Sequence, residues 1–236
     1  MSTTHRVLVP FELPDATPIP STIVDTLTPM AAVVLGHYGL PEQTPPSVGR
    51  DQFEADAQAE LDDLAQPFRD ADVPVETRLV FGKAREKTID RVAVEEDCDV
   101  VLTPGEADGV DRLFVPLRGT ENFDRILSFV ADLLSGTDAT VTLFHIEDES
   151  DRLSGEELLA DAADRLVEAG VDTDRISRRL SAEGDVSGRI VDIGAEFDVL
   201  VLGETEPSLP RLFGLVPARV TADTDDPAFV VRNPEE

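Results

Sequence analysis

Three histidines, one cysteine and one cluster of cations are the side chains of this chain best suited to chemistry. His37 and His145 each close an apolar run, Val33-Val-Leu-Gly-His37 and Val141-Thr-Leu-Phe-His145. An imidazole at a strand end can contact a nucleotide or relay a proton. It can equally donate to a loop carbonyl and do nothing more, and we take this second reading for both. His5 precedes the first strand-like run and is read as solvated. Three histidines and one cysteine form no metal-ligand cluster of familiar spacing. Ser187 and Thr120 lack a Gly-x-Ser-x-Gly setting, and no Ser–His–Asp arrangement is readable. Cys98 lies between Glu95-Glu-Asp97 and Asp99. Negative neighbours disfavour the thiolate, so no reactive thiol is expected. Lys83, Arg85 and Lys87 form a local cationic cluster, suited to surface salt bridges or to docking a partner. The Asp and Glu runs read as solvated helix faces. No catalytic residue and no metal site are therefore assigned.

The charge balance narrows the partners. The 236 residues carry 20 Lys+Arg against 49 Asp+Glu, a formal charge of −29. Too few cations are available to neutralise a nucleic-acid backbone, and an anionic membrane surface would repel the chain. No apolar stretch approaches the ~18 residues of a membrane span. The N-terminus runs straight into a strand-like segment without an apolar signal core. One cysteine cannot close an internal disulfide. These features lead us to expect a cytoplasmic protein with no nucleic-acid partner and no membrane insertion. Only two of the cations are lysine, Lys83 and Lys87, and Asp outnumbers Glu. Such surfaces are similar to those of proteins from salt-in halophiles, where ~1 M salt shortens the Debye length to about 3 Å and screens self-repulsion.

Those residues need elements to hold them, and the pattern of elements repeats. Arg6-Val-Leu-Val-Pro10 recurs as Arg112-Leu-Phe-Val-Pro116, and Val33–His37 as Val141–His145. Gly82-Lys-Ala-Arg-Glu86 recurs as Gly184-Asp-Val-Ser-Gly188, and Asp99–Glu106 as Asp198–Glu204. The offsets are 106, 108, 102 and 99, which suits a duplicated domain rather than a solenoid. Residues 1–108 and 109–236 are the two expected domains. Strands are expected at Val7–Pro10, Ala32–Leu35, Glu76–Val80 and Asp99–Leu102. In the second half they are expected at Leu113–Leu117, Thr140–Ile146, Arg178–Ser181, Asp198–Leu202 and Ala228–Val231. Near-continuous apolar runs suit parallel strands buried on both faces.

Helical spacing joins them. Phe53, Ala57, Leu61, Leu64, Ala65 and Phe68 share one face of Asp51–Ala71. Ser154-Gly-Glu-Glu157 is a capping box that opens a helix with Leu158, Leu159, Ala162, Ala163, Leu166 and Val167 on its stripe, closed at Gly170. Val186–Glu196 carries Val186, Ile190 and Ile193. The fold class is therefore α/β, two doubly wound parallel-sheet (Rossmann-like) domains in tandem, the first lacking its last strand.

The order of these motifs resembles the universal stress protein family in a tandem, degenerate and haloarchaeal form. The resemblance rests on the Val-Pro strand ends, Leu-Phe-His-Ile146 and Gly184-Asp-Val-Ser-Gly-Arg-Ile190. It rests also on Asp198–Gly203 leading into Arg211-Leu-Phe-Gly-Leu-Val-Pro-Ala-Arg-Val220, and on Asp226–Val231. It covers the whole second half; the first half matches through Gly105 and has no counterpart of Arg211–Val231. The resemblance implies an ATP site at the switch point, with a Gly-x-x-Gly loop, nine residues, and Gly-Ser/Thr cradling the phosphates. Gly203 fits the first glycine. Glu206, followed by Pro207, falls at the second, Gly214 fits the last only after a deletion, and Leu215 replaces the hydroxyl. The ribose acid falls at Arg118, and at Phe11 in the first half.

If a nucleotide binds, the resemblance places Gly203, Gly214, Arg118 and His145 around it in the second domain. Arg211 could also attract an anion, whereas Glu204 and Glu206 would repel phosphates. No cofactor is expected, and ATP is the one left open. The expected function is a non-catalytic stress or regulatory binding protein with an unknown protein partner. The alternatives are an ATP sensor in the second domain and a slow ATPase. In this family last strands commonly pair across a two-fold axis, so Ala228–Val231 is expected to make a homodimer. The alternative is a single chain that covers this edge itself.

Overall fold

The computed structural model describes residues 4–105, 109–118, 122–147, 154–182, 186–204 and 226–233. The chain separates into two compact units, residues 1–102 and 103–236.

In the first unit β1 (Arg6–Leu13), α1 (Ser21–Thr26), β2 (Ala31–Gly39), α2 (Pro46–Asp70), β3 (Val75–Gly82), α3 (Arg85–Glu95) and β4 (Val100–Thr103) follow one another. Their strands lie in the order β3-β2-β1-β4, and all the pairings between them are parallel. Strand–helix–strand units with parallel strands are what the uninterrupted apolar runs dictate. The helices cover both faces. Leu8, Val33 and Leu35 pack with Ile89, Val92 and Ala93 of α3. On the opposite face Gly36 lies against Leu13 and Leu61, the latter on α2. The strands run longer than their apolar cores, and α2 begins at Pro46 instead of residue 51. Proline at the first helical turn lacks only an N–H that would be unsatisfied anyway, so the proline-rich stretch starts the helix instead of delaying it.

The second unit holds β5 (Arg112–Pro116), α4 (Phe123–Ser135), β6 (Thr140–Ile146), α5 (Gly155–Glu168), β7 (Ile176–Ser181), α6 (Val186–Gly194), β8 (Val199–Gly203) and β9 (Ala228–Val231). Its strand order is β9-β8-β5-β6-β7, again parallel throughout. Phe114, Phe144, Leu200 and Ala228 meet Ile190 and Ile193 of α6 on one face. Phe129 of α4 meets Phe229 edge-on across the other, at 5.2 Å between ring centroids. The capping box forms as its sequence predicts: Ser154 Oγ accepts from the Glu157 N–H, and Glu157 accepts from the Ser154 N–H. Gly170 takes φ +98°, a conformation glycine adopts without strain. Val167, expected on the buried stripe, is exposed. Helices α1, α3 and α4 go beyond those the periodicity reading assigns.

Both units fasten one end of the sheet in the same way. Asp99 Oδ2 accepts from the Arg6 N–H at 3.2 Å, and the Asp99 N–H donates to the Arg6 carbonyl at 2.9 Å. Asp198 Oδ2 accepts from the Arg112 N–H at 2.9 Å, and the Asp198 N–H donates to the Arg112 carbonyl at 3.0 Å. Asp198 adds an ion pair with the Arg112 guanidinium at 2.9 Å. The two clamps hold the strand starts, which leaves the carboxyl ends of the strands as the sheet edge where ligands bind in folds of this kind.

Candidate functional site

The carboxyl edge of the second unit brings together Gly203, Glu204, Asn122, Leu117, Arg118 and His145. Gly203 ends β8. A Cβ built on it would lie 2.7 Å from Ile126 Cδ1, so the start of α4 packs directly on this glycine. The Glu204 N–H donates to the Val231 carbonyl at 2.8 Å, and its carboxylate accepts from the Asn233 N–H at 2.8 Å. Asn122, at φ +57°, donates its side-chain amide to the same Val231 carbonyl at 2.9 Å. The segment leaving β8 is thus tied to the segment leaving β9 by backbone and side chain together. Arg118 is exposed, one residue past Leu117. Gly214, Arg211, Glu206 and Leu215 lie outside the described residues.

His145 is buried and its Nδ1 is 2.8 Å from the Leu117 carbonyl. This is the loop-carbonyl role expected from the sequence. A Cβ on Gly155, the first residue of α5, would come within 2.7 Å of its ring, so the imidazole is packed under that helix start.

His37 does something different, because the two histidines are not equivalent. Strand pairing places Leu8 opposite Val33 and Phe114 opposite Thr142. With Arg6 matched to Arg112, Val33 therefore corresponds to Thr142, Gly36 to His145 and His37 to Ile146. The offset along this strand is 109, one more than the apolar motif suggests, and one residue of slip turns a side chain to the other face. His145 faces α5, whereas His37 faces α3. A Cβ on Gly82 would lie 3.3 Å from His37 Nε2 and 3.6 Å from Thr88 Oγ1, the latter on α3. His37 is 2% exposed, and neither ring nitrogen has a hydrogen-bond partner. Burial pushes its pKa below the ordinary 6.5; Arg85 adds to the shift and Glu12 opposes it.

The turn from β3 into α3 lies next to that ring through Gly82, Arg85 and Thr88. Lys83 Nζ donates to the Glu42 carbonyl. Arg85 opens α3, with its Nε 3.9 Å from Glu12 Oε2. Thr88 donates its hydroxyl to the Ala84 carbonyl at 3.0 Å. The sequence reading names Lys83, Arg85 and Lys87 as a cluster but does not join them to His37, because the one-residue shift is invisible without the strand register. Phe11, the ribose position of the first half, is buried in the core. His5, expected to be solvated, is buried as well. Among the described residues no group of His, Cys, Asp and Glu is placed to hold a metal ion. No helix among them is long and apolar enough to cross a membrane.

Neither a protein-family model nor a curated protein matches the sequence. Solved structures do match the fold. A universal stress protein from Archaeoglobus fulgidus DSM 4304 aligns with a TM-score of 0.67 at 13% identity, over 98% of this chain and 97% of its own. A putative universal stress protein from Pseudomonas aeruginosa UCBPP-PA14 aligns at 0.54 and 15% identity, over 98% and 94%. The cytoplasmic domain of a prokaryotic cation chloride cotransporter aligns at 0.52 and 9% identity, over 99% and 98%. Identities this low carry the architecture and not the activity. The chain has the α/β fold of the universal stress proteins, a parallel sheet flanked by helices.

Proposed function

We propose that this chain is a tandem, degenerate protein of universal stress type. It acts in the cytoplasm of a salt-in organism as a non-catalytic stress or regulatory module, through a protein partner. The observation that carries this reading is the use already made of the Glu204 amide. In the second unit this N–H directly follows the one glycine of the expected phosphate loop that lies among the described residues. It donates instead to Val231, while the Glu204 carboxylate accepts from Asn233. An amide spent on a neighbouring strand is not available to a phosphate oxygen, and a carboxylate held beside that position repels one. The imidazole of His145, bonded to Leu117, is likewise committed to the loop.

Calorimetry with ATP in molar KCl tests the reading. A Kd weaker than ~100 μM, under about 5.5 kcal/mol, is expected. Micromolar affinity would replace it with an ATP sensor, and multi-turnover phosphate release with an ATPase. Gly203→Val is a poor control, since a side chain there meets Ile126 whether or not ATP binds. Arg118→Ala, on an exposed residue, is the better one.

A further inference from the structure

We propose that the turn from β3 into α3, backed by His37, binds a small oxyanion of the phosphate class. The argument starts from the histidine. Its counterpart in the second unit is Ile146, a partly buried hydrocarbon packed on the α6 cluster. The first unit places an imidazole at the same point of the sheet, 2% exposed and with both nitrogens unpartnered. Leaving a buried donor and acceptor unsatisfied costs stability that isoleucine would not cost, so the group calls for an explanation.

The surroundings point to an anion. Nε2 faces Gly82, whose missing side chain lets the backbone of the turn come close to the ring: a Cβ there would stand 3.3 Å from Nε2. The next residues, Lys83, Arg85 and Lys87, include both lysines of a chain with formal charge −29. Helix α3 starts at Arg85, and no side chain caps it. Its first N–H groups converge on the same turn, with the positive end of the helix dipole behind them. Glu86 and Glu12 oppose these cations. Glu12, however, is the looser partner, exposed and 3.9 Å from Arg85. An exposed contact of that length contributes little, so an anion can take Glu12's place on Arg85. A neutral imidazole has one donor and one acceptor nitrogen, and the two point apart, so one ion meets Nε2 alone. Monohydrogen phosphate can accept from Nε2 in one tautomer or donate its hydroxyl to it in the other. Sulfate has no hydroxyl and can only accept.

The test is NMR titration of the full chain with inorganic phosphate and, separately, sulfate, at constant ionic strength held by chloride. Saturable shifts are expected at the amides of residues 84–88 and at the His37 ring, with phosphate binding tighter than sulfate. Arg85→Gln, at a half-buried residue, should weaken phosphate about tenfold or more. Gly82→Ala should weaken it, and Glu12→Gln should tighten it. His37→Ile copies the second unit and should fold with equal or greater stability while losing the ring's contribution to affinity. No saturable shift in either the wild type or Glu12→Gln overturns the proposal. So does a response that chloride reproduces, or one that Arg85→Gln and His37→Ile leave unchanged.

Discussion

Replacing Phe229 with alanine removes the largest side chain of β9, which is 0% exposed and meets Phe129, also 0% exposed, at 5.2 Å and 61°. Truncating a phenylalanine in such a place costs about 3–5 kcal/mol, through lost transfer energy and the cavity left behind. An edge-to-face pair adds about 0.5–1.5 kcal/mol of coupling. Phe129→Ala should therefore cost a similar amount, and the double variant should cost less than the sum by that coupling. Urea titration in molar KCl measures it. The chain has no tryptophan and one tyrosine, Tyr38, in the first unit. Tyrosine fluorescence therefore follows that unit and circular dichroism follows both, which localises the loss. The reasoning requires a cost independent of protein concentration. A cost below about 1 kcal/mol, an additive double variant, or a loss that shrinks as protein concentration rises would refute it. The last outcome would mean that Phe229 packs against another copy.

The mass is a related prediction. Light scattering in molar salt decides it: a concentration-independent value near 25.6 kDa would reject the expected homodimer, and twice that mass would support it. Stability should rise from low salt to molar KCl, as the Debye length falls from about 10 Å at 0.1 M to about 3 Å at 1 M; a constant melting temperature would exclude a role for the −29 charge. Ser154→Ala should cost about 1 kcal/mol by removing the acceptor for the Glu157 N–H, read by urea midpoint. His37 resists protonation when folded, whereas the unfolded chain protonates it near 6.5. Its contribution is therefore complete above that value and declines as pH falls toward the lower folded pKa. His37→Ile should flatten the melting temperature over that window, and an unchanged slope would refute the assignment.

Much of the architecture was legible because burial on both faces leaves a plain mark. Thr140–Ile146 and Ala228–Val231 were found to the residue, and the Ser154 capping box named its own helix. The signal for α4 was also present: Phe123, Ile126, Leu127, Val130, Leu133 and Leu134 fall at helical spacing. In α3 the apolar positions Ile89, Val92 and Ala93 are too few among charged neighbours to make a clear stripe. Helix α1 spans six residues and has no side-chain cap, so little in its sequence marks it. The functional edge was harder. Aligning the two histidines by their flanking apolar residues gives an offset of 108 and strand register gives 109, because Arg6 to its partner Ala31 spans 25 residues and Arg112 to Thr140 spans 28. Only hydrogen-bond register exposes such a shift. Local pattern carries no information about which face a strand end turns toward a helix start.

The aspartate clamps have a consequence for how the two halves could diverge. Asp99 and Asp198 fix the starts of the strands against each other, so any gain or loss of residues in the connecting segments must be absorbed further along. Arg6 to Ala31 spans 25 residues and Arg112 to Thr140 spans 28, yet both strand pairs start from the same anchored point. At the far rim one half of the molecule presents an imidazole where the other presents an aliphatic chain. Two rims with different chemistry can arise from one framework by changing the length of a connection and leaving the framework itself untouched.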